Sequence, residues 1–211
     1  MLKTTEEKTV FLISLYIAAL IVANLLGNKI TDIGGIVVSV AIFSYPVTFL
    51  VTDIIAEVHG EKKSKALVMA GTTALIFVLV LTALSVALPP ATRFPFNDSY
   101  TDIFGSSLRL VFASIVSFAV SQTHDVWSFH FWKRKTNGRH LWLRNNISTA
   151  TSQLIDTTIF MFIAFYMAAP MYTAGFIVAL IIPYWIVKVI MALFDTPLCY
   201  LGVKWLKNSS E

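Results

Sequence analysis

Polar side chains that can ionise or form strong hydrogen bonds lie inside long apolar stretches of this sequence. An ionisable side chain at the centre of a bilayer costs about 2.5–3.5 kcal/mol on insertion scales, so it normally faces the interior of a helix bundle. Such groups can bind a polar solute or relay a proton, and they can also act as structural contacts between helices. The candidate solute-binding residues are Asn24, Asp53, Gln122, Asp125, Gln153, Asp156 and Lys188.

Two short segments repeat the pattern Ser-Gln-x-x-Asp, at 121–125 and at 152–156. Glutamine and aspartate three residues apart lie on one face of a helix. The segments belong to consecutive apolar runs, which would cross a membrane in opposite directions, so the two faces can meet across a pseudo-two-fold axis. Inverted elements that flank a midplane site are a common transporter device. The repeat therefore predicts one site built from both runs, unless so short a match arose by chance.

The expected depths of these residues agree with a single polar layer. With about 1.5 Å of rise per residue, Asp125 lies about 12 Å from the Lys133 end of its run, and Asp156 about 18 Å from Arg144. Gln122 and Gln153 fall at similar depths, whereas Asp53 is nearer to the inner surface. Glu57 is nearer still, either as part of the site or as an interfacial charge.

The layer suits a planar heterocycle with an amide edge and an amino group. A carboxylate can accept a ring N–H and an exocyclic amine as a pair, while a glutamine donates to the ring carbonyl. Asp156, the deepest of these carboxylates, is the first choice for that acceptor. Tyr45, Phe49, Trp127 and Phe160 could stack on such a ring, although packing or lipid contact is the commoner role of an aromatic residue.

Composition restricts the elements that can position these residues. The chain has 211 residues, of which 56% are hydrophobic and 13% charged, with a mean hydropathy of +0.73. Soluble proteins have about a quarter charged residues, so this chain belongs in a lipid bilayer. Its single cysteine excludes an internal disulfide, and we expect neither a metal nor another cofactor. The net charge of +4 does not indicate a nucleic-acid partner, because the basic residues lie in short loops.

Apolar runs of spanning length predict an all-α integral membrane protein. We expect one transmembrane domain, residues 1–211, formed by a bundle of six transmembrane helices. The first run is interpreted as a retained span, because no small-residue cleavage site follows it. The predicted spans are about 10–27, 35–58, 66–88, 106–132, 147–169 and 172–203.

The distribution of basic residues predicts the orientation in a cell inner (plasma) membrane. Loops with many lysines and arginines stay in the cytoplasm. Such residues gather in the second and fourth connectors and at both ends of the chain, whereas the other connectors carry little beyond Lys29 and Arg93. Both termini are therefore expected to be cytoplasmic.

Ten short segments together form a pattern that is specific to one family: Ala23–Asn24, Lys29–Ile30, Tyr45–Leu50, Asp53–Glu57, Gly60, Ser121–Gln122, Asp125, Leu141–Asn146, Ser148–Thr149 and Ser152–Thr157. In these segments the chain resembles the queuosine precursor transporters, also called the vitamin uptake transporter family. The resemblance covers most of the chain from the first span through the fifth. It implies a multi-pass carrier that imports a 7-deazaguanine such as preQ0 or preQ1, which later becomes a tRNA modification.

Other functions remain as alternatives. The family is similar in size to the substrate-binding subunits of energy-coupling factor vitamin transporters, and Ala19 and Ala23 could let a partner helix approach closely. The same spacing also serves packing within one chain. An enzyme is disfavoured, because the sequence has no His-Glu-x-x-His and no Gly-x-Ser-x-Gly. Proton coupling, facilitated diffusion and association into a homo-oligomer all stay open.

The segment Arg144-Asn145-Asn146 has two interpretations. Together with Ser148, it resembles a cytoplasmic anchor and the cap of the following helix. Alternatively, it gates the site from the inner side.

Overall fold

Helices make up nearly all of the regular structure in this computed structural model, which describes residues 4–34, 36–105, 108–167, 170 and 172–208. A β-hairpin and a short 3-10 helix, Val40–Phe43, lie between the first two α-helices. The other elements are α1 (Thr5–Leu26), β1 (Ile30–Ile33), β2 (Ile36–Ser39), α2 (Tyr45–His59), α3 (Glu61–Ala87), α4 (Asn97–Gly105), α5 (Leu108–Lys135), α6 (Leu141–Phe165) and α7 (Ala174–Lys207).

The expected all-α membrane protein is confirmed. Among the described residues, five helical segments are long and apolar enough to cross a membrane: Thr5–Leu26, Val40–His59, Glu61–Ala87, Asn97–Lys135 and Ala174–Lys207. The remaining long helix, α6, has 25 residues, which is also enough to span a bilayer. Its hydropathy is lower because one whole face carries polar side chains.

The predicted helical span at 35–58 is wrong in its first part. Strand β2 pairs antiparallel with β1, with Ile33 opposite Ile36 and Ile30 opposite Ser39. The β-branched run Ile36-Val37-Val38 favours a strand, and Gly34, at φ +64°, permits the turn before it. The helix itself starts at Tyr45, with a proline in its first turn.

Local sequence explains where several helices begin and end. The Thr4 hydroxyl accepts from the Glu7 backbone N–H, while the Glu7 carboxylate accepts from that of Thr4, which is a capping box. Gly60, at φ +82°, alone separates α2 from α3. The helix α6 begins at Leu141 rather than near residue 147, so Ser148 lies inside it and the expected cap at Ser148 is wrong.

The bundle has an apolar outer surface, and its interior combines an apolar core with many buried polar side chains. The buried face of α6 is mainly polar: Arg144, Asn145, Ser148, Thr149, Ser152, Gln153, Asp156 and Thr157. By contrast, large apolar side chains such as Phe77, Phe194 and Leu201 are exposed on the outer surface. The hydrocarbon chains of the bilayer would cover that surface.

Small residues let the helices approach closely around this interior. A side chain at Gly71 of α3 would collide with the Tyr16 ring of α1, and one at Gly202 of α7 would collide with Ile54 of α2. Ala19 and Ala23 are buried within the chain, at 7% and 4% exposure. The spacing of these alanines therefore serves packing inside the molecule, and the argument for a partner helix on α1 loses its support.

Candidate functional site

The helices α5 and α6 pack along each other and bring the two Ser-Gln-x-x-Asp segments into the interior. Gln122 and Asp125 are completely buried, and Gln153 and Asp156 are 4% and 2% exposed. Asp53 of α2 is also buried. These five residues are called the polar layer below.

Both carboxylate oxygens of Asp156 have partners. Oδ2 lies 2.8 Å from Lys188 Nζ of α7. Oδ1 accepts from the Tyr45 hydroxyl at 3.2 Å and from the Ser121 hydroxyl at 3.4 Å. Two of the candidate residues, Lys188 and Asp156, thus form an ion pair.

Lys188 connects the polar layer to the β-hairpin. Its Nζ lies 5.3 Å from the centre of the Tyr45 ring and 5.9 Å from that of Tyr184. The Tyr184 hydroxyl in turn accepts from the Ser39 backbone N–H at 3.2 Å. The ammonium group is therefore held by one carboxylate and two aromatic faces, an arrangement that attracts a cation in a desolvated site.

Other atoms of the polar layer are buried without hydrogen-bond partners. Within the described residues these atoms are Asp53 Oδ1, both side-chain polar atoms of Gln122, both carboxylate oxygens of Asp125, and Gln153 Oε1. A buried polar group left unpaired costs about 1–3 kcal/mol, and native proteins contain few such groups. The clustering of these unpaired groups identifies a place where a bound polar molecule would be stabilised.

The carboxyl groups of Asp53 and Asp125 lie close to each other. Thr149 donates to Asp53 Oδ2 at 3.4 Å. The Ser148 and Ser152 hydroxyls lie beside the Asp125 carboxyl group. Ser148 donates to the Asn145 carbonyl oxygen, and the Ser152 hydroxyl lies 2.9 Å from His124 Nδ1.

The remaining predicted residues differ in their positions. Asn24 is buried on α1, where its amide donates to the Leu20 carbonyl oxygen at 3.0 Å. Among the aromatic residues, Tyr45 and its ring neighbour Phe49 lie next to the polar layer. Trp127 is 52% exposed and Phe160 packs in a separate apolar cluster, so stacking by either on a ligand in the layer is not supported.

A second cluster, which we call the Glu57 clamp, consists of the buried Arg144 and the half-buried Glu57 and Lys133. Glu57 Oε2 lies 2.5 Å from Arg144 Nη2 and 2.9 Å from Lys133 Nζ. Arg144 also donates to the carbonyl oxygens of Gly138 and Arg139, at 2.9 and 3.0 Å. The clamp therefore ties the end of α2 to the α5–α6 turn.

The sequence left both Glu57 and Arg144 open as site residues, but their pairing and the hydroxyls around the aspartates were missed. Arg144 is 1% exposed, so it is a buried contact between helices. Thr149 and Ser121 could have been found from helical spacing, since each lies four residues or fewer from a predicted site residue on the same helix. Distance along the chain hid the pairing of Glu57 with Arg144.

A surface groove on α3 lies apart from this interior. It has a volume of about 780 Å³ and is lined by Lys62, Lys65, Ala66, Met69, Ala70, Thr73, Ala74 and Phe77. It is a mainly apolar outer face with no contribution from the polar layer. Among the described residues there is also no cluster of three or more His, Cys, Asp or Glu side chains suited to a metal ion.

Comparison with known proteins gives consistent matches. A family model described as "Putative vitamin uptake transporter" matches residues 39–202. The "Probable queuosine precursor transporter" of Bacillus subtilis is 29% identical over 194 residues, covering 92% of this chain and 83% of the relative. The "Queuosine precursor transporter" of Escherichia coli is 26% identical over 172 residues, covering 78% and 72%. No solved structure matches significantly.

Proposed function

This chain belongs to the vitamin uptake transporter family, and on that premise we propose that it imports a precursor of queuosine, a 7-deazaguanine base such as preQ0 or preQ1, into the cytoplasm. The names of the two relatives support this substrate class. The inner (plasma) membrane is the proposed location. The polar layer is the proposed binding site.

The observation that carries this proposal is the set of unpaired buried atoms in the layer. Gln122 offers an unpaired amide donor and acceptor, Gln153 an acceptor, and Asp125 two carboxylate acceptors. A deazaguanine presents a ring carbonyl, a ring N–H and an exocyclic amine along one edge. Each unpaired group of the layer therefore has a complementary group on such a base.

Asp125 is the proposed acceptor for the paired N–H groups, rather than Asp156. The oxygens of Asp156 already bind Lys188, Tyr45 and Ser121. Asp156 and Lys188 are then positioning residues, which hold α6 against α7 and place the Tyr45 ring beside the site. Asp125, by contrast, has both oxygens unpaired in a completely buried position.

The Glu57 clamp is the proposed inner gate. It lies at the end of α2 that leads into the lysine-rich start of α3, and at the Lys133–Lys135 end of α5, where the basic residues favour the cytoplasm. A solute leaving the layer toward that side would need the ion pairs of Glu57 to open.

The test is equilibrium binding of preQ0, preQ1, guanine and a set of vitamins to the purified chain in detergent. We expect saturable binding of the deazaguanines and weaker binding of the vitamins. Uptake of labelled preQ0 or preQ1 by cells that lack their own system, with this chain as the only addition, distinguishes a self-sufficient carrier from a subunit that needs an energising partner. Binding of none of the deazaguanines would reject the proposed substrate.

A further inference from the structure

The lysine and arginine side chains inside the bundle already have specific partners. Lys188 lies 2.8 Å from Asp156, and Lys133 and Arg144 both bind Glu57. Lys8, also buried, donates to the Trp205 carbonyl oxygen at 2.8 Å. None of these cations reaches Asp53 or Asp125, and in the described part of the chain no ion pair involves either aspartate.

The groups that surround Asp53 and Asp125 are acidic or neutral. On α7, Asp195 and Cys199 face Asp53. On α6, the nearest groups are the hydroxyls of Ser148, Thr149 and Ser152. On α1, the buried phenol of Tyr16 packs against Gly71 of α3. The ionisable groups of α3 itself are confined to its first turns, at Glu61, Lys62, Lys63 and Lys65.

Two carboxylates in contact inside a low-dielectric interior cannot both stay ionised without a cation. Burial disfavours each charge, and their mutual repulsion adds to that cost, so such a pair retains a proton between its members. Since no basic partner is present among the described residues, a proton is the species left to neutralise the pair.

The pair lies next to the proposed substrate site, as a second feature shows independently. Gln122 is completely buried, and both its polar atoms are unpaired in the described structure. It precedes Asp125 by three residues, so the two side chains share one face of α5. A ligand that satisfies Gln122 would therefore also meet Asp125.

We propose that Asp53 and Asp125 together hold one exchangeable proton and that solute import is coupled to its movement. This rests on the proposed function. When a base places its N–H groups on Asp125, that carboxylate must be ionised, and the shared proton stays on Asp53. After the solute leaves toward the cytoplasm, the pair loses the proton to that side and takes up another from outside. Only a proton is bound and released, and no electron moves.

The transport test uses the full chain in proteoliposomes with labelled preQ0, whose nitrile carries no ionisable amine. An inside-alkaline gradient of one pH unit should drive accumulation of up to about tenfold if one proton moves with each solute. A protonophore should abolish that accumulation. In Asp53→Asn, uptake with the gradient should be about equal to uptake without it. The control variant Asp98→Asn, at an exposed aspartate of α4, should retain the wild-type ratio of these two uptakes.

Counterflow exchange without a gradient separates the two proposals. If the wild type exchanges preQ0 but its uptake does not respond to the pH gradient, proton coupling is overturned and the proposed function stays intact. A gradient response retained by Asp53→Asn would also overturn it. If preQ0 does not exchange at all, the proposed function has failed for this base.

Infrared spectroscopy of the purified chain then tests proton binding without any transport. The carbonyl band of a protonated carboxyl group should be present at neutral pH in the wild type and in Asp98→Asn. It should be lost or shifted in Asp125→Asn, which provides a second variant should Asp53→Asn fold poorly. A wild-type spectrum without the band would overturn the proposal.

Discussion

Lys188 of α7 and Asp156 of α6 form an ion pair inside the bundle, with 2.8 Å between Nζ and Oδ2. The Asp156 side chain is 3% exposed and that of Lys188 16%. Lys188 follows Pro183, which interrupts the hydrogen bonding of α7 about one turn earlier. The pair thus joins α6 to α7 shortly after this proline.

Replacing Lys188 by methionine should destabilise the protein. The change leaves the Asp156 carboxylate buried without its cation, and removing one partner of a buried pair costs about 3–5 kcal/mol. We expect the thermal unfolding temperature in detergent to fall. The double variant Lys188→Met/Asp156→Asn should recover much of the loss, because no uncompensated charge remains. Wild-type stability in the single variant would mean that the Lys188 ammonium reaches the membrane surface instead.

Replacing Glu57 by glutamine should loosen the inner gate. The guanidinium of Arg144 would lose its carboxylate in a nearly fully buried position, although its bonds to the Gly138 and Arg139 carbonyl oxygens would remain. In a Cys199→Ser background, a cysteine at Ser148 should then react faster with a membrane-impermeant thiol reagent from the cytoplasmic side. Exposed Glu6→Gln on α1 serves as the matched control. Equal labelling rates in all variants would contradict a gate at Glu57.

A topology reporter tests the expected orientation. An enzyme reporter that is active only outside the cytoplasm should work when inserted near Asn97, at the start of α4. It should be inactive near Asn137, in the α5–α6 turn, because the flanking Lys133, Arg134 and Arg139 keep that turn inside. The reverse pattern would place both termini outside.

The membrane class and the burial of the polar-layer residues could be predicted from the sequence. The side chains that pair with one another across helices could be predicted less well. Burial of Gln122, Asp125, Gln153 and Asp156 follows from helical periodicity and from the cost of polar groups in lipid, both of which are local properties. The pairing of Glu57 with Arg144 depends on how α2 packs against α6, which no local pattern encodes. The strand at Ile36–Ser39 was also missed, because a short run of β-branched residues looks the same at the start of an apolar span as in a hairpin.

Replacing Asp125 by asparagine should weaken solute binding while preserving the fold. An amide nitrogen would replace one acceptor oxygen and oppose the N–H groups of the base, leaving a buried group unpaired. We expect the Kd for a deazaguanine to rise at least about thirtyfold, equivalent to about 2 kcal/mol. Asp98→Asn should leave the Kd unchanged. A Kd that is normal in Asp125→Asn would place the acceptor elsewhere in the layer.

Gln122→Met separates a binding site from a structural contact most directly, because methionine has nearly the shape of glutamine but no amide. Both measurements are made on the same purified sample: the Kd for preQ0 or preQ1 and the unfolding temperature without ligand. Since both polar atoms of Gln122 are buried and unpaired in the described structure, the variant should be at least as stable as the wild type. Its Kd should be at least about thirtyfold higher, a loss of about 2 kcal/mol of binding free energy. A variant that binds the base normally and unfolds at a lower temperature would contradict the account, since Gln122 would then support the fold rather than the solute.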